Sequence, residues 1–129
     1  MITEDYVSFE TAKLLKENGF DADVDLWYSS DGEIFHLYHY DYNETKYFAC
    51  VQCPTLQMAK KWLRKVHNLH CAVDYDFVLG WYCQITSLKE TVEYDYEEMK
   101  HYHPEKDNGF SSPEEACETA IKYCLEKLI

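Results

Sequence analysis

The sequence predicts an α+β fold: an antiparallel sheet of about five strands with three helices packed mainly on one face, in the order α-β-β-β-α-β-β-α. Three observations predict it. Apolar residues recur at helical spacing in three separate stretches, each with its own start or stop signal. Between them lie short runs of aromatic and β-branched residues punctuated by turn residues. Those strands are interspersed with few helices rather than alternating regularly with them, which favours an antiparallel sheet.

The first helix opens at Ser8, a capping residue, and Phe9, Ala12 and Leu15 form its inner stripe. Asn18-Gly19 ends it, with Phe20 reaching back to Leu15 in the pattern of a Schellman stop. VDLWYSSDGEIFHLYHY then reads as two strands around Asp31-Gly32, both of which tolerate positive φ. Val24, Leu26 and Tyr28 share one face, while Asp23, Asp25 and Ser29 mostly occupy the other. Residues 46–51 form a third strand.

Pro54 and Thr55 open a helix to about Val66, with Leu56, Ala59, Leu63 and Val66 inside and Lys60, Lys61, Arg64 and Lys65 outside. Residues 71–73 and 77–85 read as strands. Residues 91–96 fit either another strand or the start of a short helix through Met99. Residues 103–110 form a loop carrying Pro104 and Asn108-Gly109. The last helix carries the clearest cap, with Ser112 at the N-cap, Pro113 at N1 and Glu115 at N3. Cys117, Ala120, Ile121, Cys124 and Leu128 mark its buried stripe.

No repeat, linker or low-complexity segment divides the 129 residues, so one domain spanning residues 1–129 is expected. A chain of this length buries about two-thirds of its unfolded surface without cross-links. Its 47% hydrophobic content excludes a disordered chain. The apolar runs are far too short for a membrane span, and the acidic start MITEDYV lacks a hydrophobic export region. Twenty-four acidic residues against twelve basic ones give a net charge of −12. Such a chain cannot neutralise phosphates, so nucleic acid and anionic lipid are excluded as partners. The charge suits a basic protein partner, or solubility alone. Six cysteines invite a disulfide framework, but the size and absent export signal favour reduced thiols in a cytoplasmic setting.

The stretch CVQCPTLQMAKKWLRKVHNLHC tests for metal chemistry. Cys50-x2-Cys53-x13-His67-x2-His70 has nearly the spacing of a two-Cys, two-His zinc finger. Zinc ligands must converge on one ion at about 2.0–2.3 Å. Pro54 starts the helix directly after Cys53, so roughly twelve helical residues hold the pairs about 18 Å apart. No metal site closes within one chain. Homodimerisation stays open, because an antiparallel dimer could bring the cysteines of one copy to the histidines of the other. A redox dithiol also fails, since Cys50 falls in the preceding strand and not at a helix N-terminus.

Asp21, Asp23 and Asp25 resemble the start of a calcium loop, but Leu26 and Gly32 stand where glycine and glutamate are required. His36 and His39 lie on opposite faces of one strand, and His101 and His103 have no third partner. No phosphate loop or catalytic motif is present, so no catalytic residue and no cofactor are assigned. Lys60, Lys61, Arg64 and Lys65, with His67, concentrate the positive charge, and Arg64 is the only arginine. A solvated helix face accounts for them by default.

Three segments, VSFETAKLLKENGFD, CPTLQMAKKWLRKVHNLH and EEACETAIKYCLEKLI, in this order resemble a family of short proteins of unknown function from gut anaerobic bacteria and their prophages. The resemblance covers both ends and the central helix. It implies a cytoplasmic accessory protein of a mobile element, a class whose small acidic members often bind host proteins.

Twelve tyrosines exceed what a small core holds. Tyr38, Tyr40, Tyr42, Tyr47, Tyr94, Tyr96 and Tyr102, with Asp41, Glu93, Asp95, Glu97 and Glu98 nearby, suggest an acidic, aromatic surface. The expected function is a non-enzymatic interaction protein gripping a protein partner through Tyr94, Asp95, Tyr96, Glu97 and Glu98. The alternative is a protein that sequesters an anionic metabolite or nucleotide, with tyrosines stacking on it and Lys60, Arg64 or Lys65 meeting its charge.

Overall fold

The computed structural model describes residues 2–36, 49–95 and 109–129. The fold is α+β, and the chain divides into two compact units, Met1–Thr55 and Leu56–Ile129. Each unit carries its own three-stranded antiparallel sheet, six strands in all among the described residues, where one sheet of about five was expected. Among the described residues the order is therefore α-β-β-β-α-β-β-β-α.

In the first unit, α1 (Phe9–Glu17) is capped as the sequence foretells. Ser8 Oγ accepts from Thr11 N at 3.2 Å. At the other end Gly19 N donates to Lys16 O at 3.1 Å and Phe20 N to Leu15 O at 2.9 Å, both Schellman bonds. Strand β1 (Leu26–Tyr28) lies between β2 (Ile34–His36) and β3 (Val51–Gln52). The β1–β2 turn departs from expectation. Gly32 alone takes positive φ, +83°, and Ser29 N donates to Glu33 O, so the loop is longer than Asp31-Gly32. The third strand is short because Pro54 has no N–H to extend the ladder; its last rung is Cys53 N to Leu26 O, 2.9 Å. Tyr28 is buried, donates to Val7 O at 2.6 Å and packs its ring 5.3 Å from that of Phe9.

In the second unit, α2 (Leu56–His67) is followed at once by β4 (Leu69–Asp76), which pairs with β5 (Gly80–Ser87) over its full length. Asn68, at φ 58°, turns the chain between helix and strand. Then come β6 (Val92–Tyr94) and α3 (Pro113–Tyr123), which runs into a π-helical turn, Cys124–Leu128. Both helices cover the face of Leu69, Cys71, Cys83 and Ile85; His70, Asp74, Tyr82 and Gln84 line the other. The helices thus pack on one face within this unit alone, with α1 packed on β3 in the other.

Two stripe residues move. Val66 is exposed and Trp62 buried instead, because α2 ends one residue later and leaves Val66 at the rim. Leu125 replaces Leu128, because the i→i+5 turn from Cys124 re-phases the buried face. The α3 start is as expected. Ser112 Oγ accepts from Glu115 N at 3.1 Å, and the Glu115 carboxylate reaches back to the Ser111 N–H at 3.1 Å and to its hydroxyl. Ser112→Ala removes the cap and is expected to cost about 1 kcal/mol. A urea titration in which the parent and variant midpoints coincide would contradict this.

Candidate functional site

The apolar run Phe77-Val78-Leu79, expected inside a strand, forms the turn of the β4–β5 hairpin. Asp76 explains the change. Its Oδ1 accepts from Val78 N at 2.7 Å and from Leu79 N at 3.0 Å, so these amides bond to a side chain and leave the ladder. The Leu79 and Val78 amides hold the Asp76 carboxyl below its ordinary value of 3.8. As pH falls through that depressed value the carboxylate is protonated and the turn loses both bonds.

The tip so formed exposes what a folded chain usually hides. Phe77 is 99% exposed, Val78 83% and Tyr75 53%. Tyr75 sits opposite Trp81 in the ladder, its ring 5.1 Å from the indole and 6.4 Å from Phe77. Asp74 and Asp76 flank Tyr75 in the chain and are exposed, and Asp74 Oδ1 accepts from Tyr75 N at 2.8 Å. Sequence reasoning missed the tip because three apolar residues in a row read as strand. The available signal was Asp76 followed, four residues on, by Gly80.

The turn end of the hairpin is fixed from a distant part of the chain. Phe110 bridges to Trp81, donating its N–H to Trp81 O at 2.8 Å, and is itself buried. Gly109 before it has φ +98° and lies so close to the hairpin that a Cβ would stand 2.0 Å from Leu79 O.

Of the acidic segment expected to bind a partner, Tyr94 and Asp95 are described; Tyr96, Glu97 and Glu98 lie outside the described residues. Tyr94 is half-buried at the end of edge strand β6, its ring 6.3 Å from that of Tyr123, and Asp95 is exposed. Glu93, also exposed, accepts from Gln84 Nε2 at 3.4 Å. The remaining tyrosines singled out for that surface, at 38, 40, 42, 47 and 102, also lie outside the described residues, as do His39, Asp41, His101 and His103.

The basic stripe is on α2. Lys61, Arg64 and Lys65 are exposed and Lys60 half-buried. His67 packs its ring against Trp62 at 4.8 Å, and His70 is exposed on the uncovered face of β4. Cys50 and Cys53 are buried in the first unit on either side of β3. Among the described residues no three His, Cys, Asp or Glu side chains come together to hold a metal ion.

The sulfur that does converge was read only as core. Cys71, Cys83, Cys117 and Cys124 fill the layer between the β4–β5 sheet and α3, all buried, with Cys71 Sγ 3.7 Å from Cys124 Sγ. Burial pushes the Cys83 and Cys117 thiols up to about 12, with the Lys60 ammonium opposing the rise at Cys117. The hydrogen bond to Cys71, then burial, raises Cys124 as well.

Among the described residues no helix is long and apolar enough to cross a membrane. No protein-family model, curated protein or solved structure matches the chain.

Proposed function

We propose that the chain is a small acidic protein-binding domain rather than an enzyme, and that its binding surface includes the β4–β5 tip. The observation that carries this reading is the tip itself: Phe77 and Val78 stand in solvent next to Asp76, on a turn that Asp76 fixes with two side-chain-to-backbone bonds. Exposing such side chains costs solubility and brings no packing, so a partner that covers them accounts for their placement. A pre-formed turn also loses little conformational freedom on binding. With a net charge of −12, the chain favours a partner whose apolar site is rimmed by Lys and Arg. Asp95 and Tyr94 at the end of β6, with Tyr96, Glu97 and Glu98 after them, extend the same acidic, aromatic chemistry. A host protein bound by a cytoplasmic mobile-element accessory protein is the setting that the family resemblance adds.

The reading in which Lys60, Arg64 and Lys65 hold an anionic metabolite or nucleotide has less support. Arg64 and Lys65 stand exposed on the outer side of α2, a face that encloses no ligand, and Lys60 is half-buried and close enough to act on Cys117.

The test replaces Phe77 and Val78 together with serine and, separately, Asp95 with lysine, in the full chain. All three positions are exposed, so stability is expected to stay within about 0.5 kcal/mol of the parent. A photo-reactive phenylalanine analogue at position 77 is expected to cross-link one host protein at a Lys- or Arg-flanked apolar site. The serine variant should lose that protein at least tenfold. Equal recovery by parent and both variants would remove this surface from consideration.

A further inference from the structure

We propose that Cys71 and Cys124 form a reversible redox pair, and that their disulfide ties the π-helical turn after α3 to strand β4.

The two residues come from elements far apart in sequence and meet because of how each element is phased. Cys71 lies on the helix-covered face of β4, between Leu69 and Val73. Cys124 continues the α3 stripe of Cys117, Ala120 and Ile121 and begins the π-helical turn. Their sulfurs are 3.7 Å apart, linked by an S–H···S hydrogen bond, and both side chains are buried. A disulfide bond is about 2.05 Å, so forming it needs the sulfurs to approach by less than about 2 Å.

The other thiols of this layer are placed differently. Cys83 pairs with Val73 in the ladder, which makes it a diagonal neighbour of Cys71 on the same face. Cys117 lies seven residues before Cys124, about 10 Å along the helix axis, so the two helix thiols cannot join each other. The 3.7 Å contact between their sulfurs therefore favours Cys71 with Cys124.

The chemistry balances with a peroxide as oxidant. The thiolate of one cysteine attacks a peroxide oxygen and the O–O bond breaks, giving a sulfenic acid and, after protonation, one water. The second thiol attacks that sulfur, the S–S bond forms and a second water leaves. Two thiols are oxidised, one hydrogen peroxide is reduced, and a dithiol reductant reverses the change by exchange. Because both sulfurs are buried, peroxide reaches them only slowly, and the pair responds to sustained oxidation rather than to a brief pulse. Once closed, the loop from residue 71 to residue 124 restricts the unfolded chain, so the oxidised form resists unfolding better.

The test treats the reduced full chain with hydrogen peroxide at neutral pH, then unfolds it and alkylates the remaining thiols. The expected result is a monomer lighter by about 2 Da before alkylation, with two of the six thiols protected. A non-reducing digest should link the peptide holding Cys71 to the one holding Cys124. The link should persist in Cys83→Ala, disappear in Cys124→Ala and vanish with dithiothreitol. The oxidised chain should unfold at a higher urea concentration than the reduced one. Six alkylated thiols, a bond involving Cys83 or Cys117, a disulfide between copies, or a native mass carrying a thiolate-bound metal would each overturn the proposal. The mapping is done on the parent chain, so it stands even if a cysteine variant fails to fold.

Discussion

Replacing Gly109 with alanine is expected to destabilise the chain by about 3 kcal/mol or more, from two costs that add. The first is conformational. At φ +98° a side chain is strained whatever the space around it, and the left-handed conformation alone costs an L-residue about 1–2 kcal/mol. The second is steric. A Cβ would lie 2.0 Å from Leu79 O and 2.8 Å from Trp81 O, both backbone atoms of the hairpin that cannot swing aside as a flexible side chain would. Relief requires Phe110 to move off Trp81, which breaks the 2.8 Å bond between them and uncovers a buried ring. Gly19→Ala isolates the first cost, because Gly19 also has positive φ, +88°, yet nothing lies within 4 Å of its Cβ position. It should lose only about 1 kcal/mol. The comparison is a pair of thermal melts, in which Gly109→Ala falls by on the order of 10 °C and Gly19→Ala by a few. Equal shifts would mean that the close approach of residues 109 and 79 is absent in solution.

That contact also marks where sequence reading stops. Helix ends were legible residue by residue, because their signals are local: Ser8, Gly19 with Phe20, and Ser112 with Glu115 bond within a few positions of themselves. The Gly109–Leu79 approach joins residues thirty apart, and no pattern along the chain encodes it. Strand placement failed for a related reason. An apolar run such as Phe77-Val78-Leu79 fits a strand or a tip equally well, and Asp76 decides between them through two hydrogen bonds. The split into two sheets likewise depends on which edges pair: β3 takes the free edge of β1, and β6 that of β5. Of the candidate site, the acidic and aromatic character was legible from composition. The tip that presents it was not, and neither was the meeting of Cys71 with Cys124, which requires the phase of a helix and the register of a ladder to be known together.

Stability is expected to fall steeply between pH 9 and 12, and the buried thiols fix the direction. In the unfolded chain a thiol titrates near 9.0; in the folded chain Cys83 and Cys117 hold their protons to about 12, and Cys124 is raised too. Below pH 9 both states keep these protons, so the stabilisation is fully present and pH has no leverage through them. Above it the unfolded state ionises first, and each of Cys83 and Cys117 removes about 1.4 kcal/mol of stability per pH unit until its folded value is reached. By pH 11 the two together remove about 5 kcal/mol, comparable with the whole stability of a small domain. Urea midpoints measured from pH 8 to 11 should drop sharply in the parent and less in Cys83→Ala/Cys117→Ala. Comparing slopes cancels every other group that titrates in this range, including the tyrosines, and separates ionisation from the loss of packing at neutral pH. Parallel slopes would show that these thiols reach water in the folded chain. Cys83 and Cys117, both buried, serve as packing in the layer between the β4–β5 sheet and α3, and among the described residues the exposed groups of the second unit include its carboxylates, its aromatic tip and the basic side of α2.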